Sequence, residues 1–245
     1  METQRTQART AGLLYLALVV LGILNLIVIP GQYVASGDPV ATITNIRAME
    51  PVFRIGIVVG VLSDTVYIVL ALAFYRLLAP VGRPAATLLV AFAAAGAGLG
   101  LVSAGAKLDV LTLLDTAPHP RAFTAEQLQA QAMLSLRSAS NLLRVAELFW
   151  GLWLFPLGLL VHRSGFLPRT LGILLMAGSV GYAINFFANT LWPVYATTSL
   201  PMLIPLPAHI GEIGIMLWLV FVGTTVRKAA TSTRGTTHRA RSSGS

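Results

Sequence analysis

Cysteine is absent from the 245 residues. That excludes disulfides, thiol nucleophiles and thiolate metal sites. Charge is scarce as well: Asp, Glu, Lys and Arg make up 11% of the chain, where a soluble domain carries about 25%. Acids are the scarcer sign, 9 against 17 basic residues. The four histidines are His119, His162, His209 and His238, and none forms a His-x-x-x-His pair. There is no glycine-rich phosphate loop and no Gly-x-Ser-x-Gly elbow. No cofactor and no metal site is therefore expected.

What is present is apolar. Hydrophobic residues make up 56% of the chain, and the mean hydropathy is +0.76. The chain is long enough for a soluble core but lacks the polar residues to cover one. The fold class expected is all-α, a polytopic membrane bundle of six transmembrane helices. The apolar runs lie at about 11–30, 53–78, 85–106, 139–161, 170–192 and 208–226. Each approaches or exceeds the roughly 20 residues needed to cross a bilayer. A secretory leader is the rival reading of the first run. Its apolar region would span only about 7–15 residues, whereas Ala11–Ile29 is apolar apart from Asn25. Residues 1–226 thus read as one six-helix transmembrane domain. The Ser/Thr/Arg-rich tail, 227–245, reads as disordered.

Two connections carry helix-start signals. Asp38-Pro39 opens a short helix running to about Met49, and Thr124-Ala-Glu126-Gln127 opens another. Leu128, Met133, Leu134 and Leu136 make the second amphipathic, leading into the fourth run. The third run has no charge and is rich in small residues, among them Ala93, Gly96, Ala97, Gly100 and Gly105. Small residues let helices approach closely, so this run is expected at the bundle centre. A glycine-lined substrate path is the alternative.

Six spans place both chain ends on one side. The N-terminal arm, the Ala79–Pro84 turn with its neighbour Arg76, the His162–Arg169 turn and the tail hold 11 of the 17 basic residues. The opposite connections hold Arg47, Lys107, Arg121 and Arg137 among five acids. The positive-inside rule then expects cytoplasmic termini. The basic excess, with a pI of about 10.6, is explained as topogenic. The partner it implies is the lipid bilayer rather than nucleic acid.

Five ionisable residues fall inside the runs: Arg54, Asp64, Arg144, Glu147 and Glu212. Intramembrane charge is expensive and normally faces the protein interior. The span positions set Arg54, Arg144, Glu147 and Glu212 in the outer half, with Asn185, Asn189 and the rim residue His209. Arg144 and Glu147, i and i+3, are expected to pair locally. Arg54 is expected to pair with Glu212 or Glu147. Asp64 is deep, with no evident cation at its depth. It reads as a proton-relay acid or as a neutral hydrogen-bonding group between helices. The set as a whole reads either as a salt-bridge network fixing helix register or as an outward-facing pocket. That pocket would take a small ligand, an ion or a proton. His209 with Glu212 is the one candidate acid/base or metal edge.

A faint internal repeat matches Arg9-Thr-Ala-Gly12 to Arg169-Thr-Leu-Gly172, and Arg54-Ile-Gly56-Ile to Glu212-Ile-Gly214-Ile. If real, it relates Arg54 to Glu212 and Asn25 to Asn185 by a two-fold axis along the membrane normal.

Four blocks carry a family resemblance. They are Asn45-Ile-Arg-Ala-Met-Glu50-Pro-Val-Phe53-Arg54-Ile-Gly56, Ala71-Leu-Ala-Phe-Tyr75-Arg-Leu-Leu-Ala-Pro-Val81, Phe155-Pro-Leu-Gly158 through Pro168-Arg169-Thr-Leu-Gly172, and Ile210-Gly211-Glu212 with Leu217-Trp218-Leu219. The chain resembles the domain-of-unknown-function 4386 family of bacterial multi-pass membrane proteins, from Arg9 to about Gly223. The resemblance implies six spans and a bacterial cytoplasmic membrane, and it supplies no activity. The function expected is a non-enzymatic membrane protein whose outer polar cluster binds a small ligand or partner. An ion- or proton-coupled carrier and a membrane enzyme using His209 and Glu212 are the alternatives.

Overall fold

Six helical segments are long and apolar enough to cross a membrane, and no strand occurs among the described residues. The computed structural model describes residues 2–115 and 123–223. The expected tail from Arg227 with His238, the end of the sixth run at 224–226, and the stretch with His119 and Arg121 lie outside the described residues.

The first span is α1 (Glu2–Ile23), a π-helical turn (Leu24–Val28) and the one-turn α2 (Pro30–Tyr33). The short α3 (Pro39–Ala48) leads to α4 (Glu50–Leu78), the second span, and α5 (Arg83–Leu114) is the third. The fourth span is α6 (Ala125–Leu152) followed after one residue by α7 (Leu154–Ser164). The fifth is α8 (Arg169–Leu191). A 3-10 turn (Pro193–Thr197) and α9 (Leu200–Leu203) precede the sixth, α10 (Leu206–Phe221).

Local chemistry explains the boundaries. The Asp38 carboxylate accepts from the Ala41 N–H at 2.9 Å, and Pro39 follows it at the first helical position of α3. Thr124 and Gln127 form a reciprocal capping box, at 3.2 and 2.8 Å, so α6 begins fourteen residues before the apolar run does. Pro156 has no N–H to offer the Leu152 carbonyl, which separates α6 from α7. Gly165 ends α7 at φ +72°, a backbone angle that suits glycine.

α1, α5 and α8 start from the end of the bundle that carries Arg5 and Gly223, the terminal end. α4, α6 and α10 start from the opposite, far end. Each span packs on the next, and α10 closes onto α1. Small residues permit the close crossings: a Cβ on Gly12 would meet the Leu219–Val220 backbone of α10, and one on Gly158 the Gly172 carbonyl of α8. The third run behaves as expected of a packing helix. Ala86, Ala93, Gly96, Ala97, Gly100 and Ser103 form one buried stripe on α5.

The apolar core is split in two. Toward the terminal end, Tyr15, Leu70, Phe74, Leu89, Trp153 and Leu157 belong to one buried cluster. Toward the far end, Ile29, Tyr33, Ile46, Phe53, Ile57 and Val110 belong to another. Between them the buried positions of α4 and α5 are polar or small, Gly60, Ser63 and Asp64 on α4 and Gly100 and Ser103 on α5, and Asn25 of the first span lies against Gly60. This layer is where the candidate site lies.

A candidate ligand cavity

Asp64 stands midway along α4 and is buried against α5. Gly100 makes room for it; a methyl there would overlap the carboxyl group. Lys107 is about two turns beyond Gly100 on α5, toward the far end. Helical side chains lean toward their own N-terminus. α4 and α5 run in opposite directions, so Asp64 and Lys107 lean toward each other. They line one chamber of about 30 Å³, with Asn25, Ser63 and Ser103, and their charges act on one another. The absence of a cation at the depth of Asp64 is thus corrected. The end of the apolar run puts Lys107 in a connection, but α5 continues to Leu114 and carries it into the bundle.

Asn25 belongs to the π-helical turn, where the extra residue alters the direction of side chains. Its Oδ1 is buried without a hydrogen-bond partner and lies against Gly60. Ser103 donates to the Ala139 carbonyl at 2.9 Å and ties α5 to α6. Leu143 and Trp150 of α6 complete the chamber wall.

Above the chamber, toward the far end, the space widens to a cavity of about 650 Å³. Asn25 and Lys107 line both. Arg137, Ser140, Arg144 and Glu147 line the cavity from α6. Their spacing of three, four and three residues puts them on one helical face. The rim is the 34–38 connection, held by Thr42, whose hydroxyl donates to the Asp38 carbonyl at 2.9 Å. Asn45 donates to the Tyr33 carbonyl at 3.2 Å and braces the same turn.

Arg144 and Glu147 reach the depth of Asp64, because Leu143 and Trp150 flank them on α6 and line its chamber. They were expected in the second and third turns of a span beginning near 139; α6 begins at Ala125. They are electrostatic neighbours, but the expected local ion pair does not form, and both line the cavity instead.

Arg54 is not in this site. It pairs with Glu50 at 2.7 Å, one turn away, and both side chains are about half exposed. The expected link to Glu212 or Glu147 is corrected. Glu50 opens α4, which supplies an i, i+4 partner that a loop assignment hid. An exposed pair of this kind contributes little to stability.

Glu212 lies on the terminal side of the polar layer. It accepts from the Tyr15 hydroxyl at 2.9 Å. Tyr15 and Tyr67 pack edge-on to Trp153, with centroids 6.0 and 4.9 Å away. The Tyr67 hydroxyl is buried without a hydrogen-bond partner, within the fields of both Asp64 and Glu212.

Asn185 and Asn189 are structural in this arrangement. Asn185 donates to the Pro201 carbonyl at 2.8 Å and accepts from the Tyr195 hydroxyl, anchoring the 193–205 cap. Asn189 donates to the Asn185 carbonyl at 2.9 Å. His209 is exposed beside Tyr182, with Nε2 3.5 Å from its hydroxyl. None of the three lines the cavity. His209 and Glu212 are therefore bonded to different partners, and no group of three metal-ligating side chains converges among the described residues. Arg54 and Glu212, the pair related by the faint repeat, occupy unlike places: exposed rim and buried interior. A relation taking span one to five and two to six also steps four places around a closed ring of six, where a two-fold axis steps three.

Lys107, Arg137, Ser140, Ser63, Ser103, Tyr15 and Tyr67 were not singled out from sequence. A signal for the first existed: Lys107 continues the Gly96, Gly100, Ser103 stripe by four residues.

The family model described as domain of unknown function 4386 matches residues 10–223. The chain is 32% identical over 83 residues to an uncharacterized protein of Archaeoglobus fulgidus. That match covers 34% of this chain and 47% of the other, so the chain spans about half the length of this relative. No solved structure matches the chain.

Proposed function

Because the chain belongs to the domain-of-unknown-function 4386 family, whose description carries no activity, we propose its function from the cavity. The protein is a multi-pass binding protein of the bacterial cytoplasmic membrane, with both chain ends in the cytoplasm. Its cavity receives a small ligand from the outer side and does not transform it. One observation carries this reading: Lys107, Arg137, Arg144 and Glu147 face a space of about 650 Å³ with no direct ion pair among them. A charge at bilayer depth costs roughly 2.5–3.5 kcal/mol or more unless it is compensated. A salt-bridge network that only fixed register would close on itself, as Arg54 and Glu50 do. The basic residues at the terminal end support cytoplasmic chain ends. Below the polar layer, Leu70, Phe74, Leu157 and Leu160 are buried and apolar, which favours a dead-end cavity.

Ion- or proton-coupled carriage is the second reading. Tyr67 and Glu212 favour it, because they extend the polar line about one turn past Asp64.

Labelling tests the first reading directly, since the chain has no cysteine of its own. Ser140→Cys should react with a membrane-impermeant maleimide in intact cells. Thr170→Cys, exposed at the terminal end, should react only after permeabilisation. The reverse pattern overturns the orientation. A Ser140→Cys that stays unreactive under both conditions overturns the open cavity.

A further inference from the structure

The cavity is lined by charged and apolar residues together. Its charged lining is Lys107 of α5 with Arg137, Arg144 and Glu147 of α6; its apolar lining includes Leu26, Pro30 and Val34 of the first span and the turn after it, and Met133 and Leu136 of α6. The first span and α6 both line the cavity, and the far part of the first span packs chiefly on α3 and α4. α8, α9 and α10 contribute nothing to the lining. The apolar wall continues onto Ile27 and Val28, exposed on the outside of the first span. Apolar surface there faces lipid, so an acyl chain can leave the cavity along it.

The charges specify the head. Asp64 answers Lys107 from below. Glu147 answers Arg144 electrostatically. The Asp38 carboxylate accepts from the Ala41 amide of α3. Arg137 is left uncompensated, with no hydrogen bond or ion pair among the described residues. Two guanidinium forks about two turns apart on one face suit the planar, multidentate recognition of phosphate oxygens.

We propose that the cavity binds an anionic amphiphile, its phosphate head held by Arg137, Arg144 and Lys107 and its chain lying along the apolar wall toward the bilayer. This rests on the cavity reading above and names its ligand class. Lys107 lines both spaces, so one ammonium faces Asp64 below and the ligand head above.

Protection of Ser140→Cys from maleimide tests it, using the purified full chain in a neutral maltoside detergent. The probes are dihexanoyl phosphatidic acid, dihexanoyl phosphatidylcholine and inorganic phosphate. Phosphatidic acid should protect saturably, with the other two weaker by roughly tenfold or more, the worth of one charge-assisted hydrogen bond. Arg144→Gln should weaken that protection by a similar factor. Arg137→Gln, at the exposed mouth, should do the same and serves if the deeper variant does not fold. Arg54→Gln should leave it unchanged. Equal protection by inorganic phosphate overturns the amphiphile, and equal protection by phosphatidylcholine overturns the anionic head. A reactive Ser140→Cys that no probe protects overturns this inference and leaves the cavity standing. An unreactive one overturns the cavity itself.

Discussion

Lys107→Met should destabilise the protein by about 3 kcal/mol, and adding Asp64→Asn should restore most of the loss. Removing one member of an intramembrane charge pair leaves the other uncompensated, at roughly 3–5 kcal/mol for a buried pair in contact. The lower end is appropriate here, because Asp64 and Lys107 face each other across a chamber and make no direct ion pair. The double variant removes both charges and returns a neutral layer, as substitution of whole buried pairs often does. A double-mutant cycle by equilibrium unfolding in mixed detergent reads the coupling. Additive effects, or an unchanged Lys107→Met, would remove Lys107 as the counter-charge of Asp64.

Gly158→Val should be at least as damaging, through sterics alone. A Cβ at Gly158 would lie 2.5 Å from the Gly172 carbonyl oxygen and 2.9 Å from the Met176 nitrogen. The reciprocal Cβ at Gly172 would lie 2.6 Å from the Gly158 oxygen. Both obstacles are backbone, so no rotamer change relieves them and α7 must separate from α8. Overpacking costs about 1–3 kcal/mol and sometimes more; a rigid backbone contact places this variant at the upper end. Its folded yield and Tm in detergent should drop sharply. Gly98→Ala is the matched control: nothing lies within 4 Å of its Cβ position, so it should be neutral. Equal loss in both variants would mean that α7 and α8 do not cross here.

The six spans were legible because length and apolarity alone decide them. So were both helix starts, since Asp38 and Thr124 are capping residues that act locally. The site was legible in part. Asp64, Arg144 and Glu147 stand out as charge in apolar runs, and all three reach the cavity or its floor. Lys107 did not stand out, because the apolar run ends beside it while the helix does not. Arg137 was hidden for the same reason, standing just before the apolar run and well inside α6. Depth followed helix boundaries, and boundaries drawn at the end of hydrophobicity cut both helices short. Arg54 and Glu212 were grouped with the cluster by depth. Depth along a helix does not give the direction of a side chain around it, and those two turn to Glu50 and Tyr15.

On this reading the polar cavity enters from the far end and stops at the Asp64 layer. Reactivity of single cysteines along that line measures it: Ser140 and Leu143 in the cavity and chamber walls, Ala97 and Leu157 in the apolar core beneath. A small water-soluble thiol reagent should react at the first two positions and fall to background at the last two. Reaction continuing through Ala97 and Leu157 would indicate a conduit, and silence at Leu143 would mean that water does not reach the floor; either result rules out a wet, dead-end cavity.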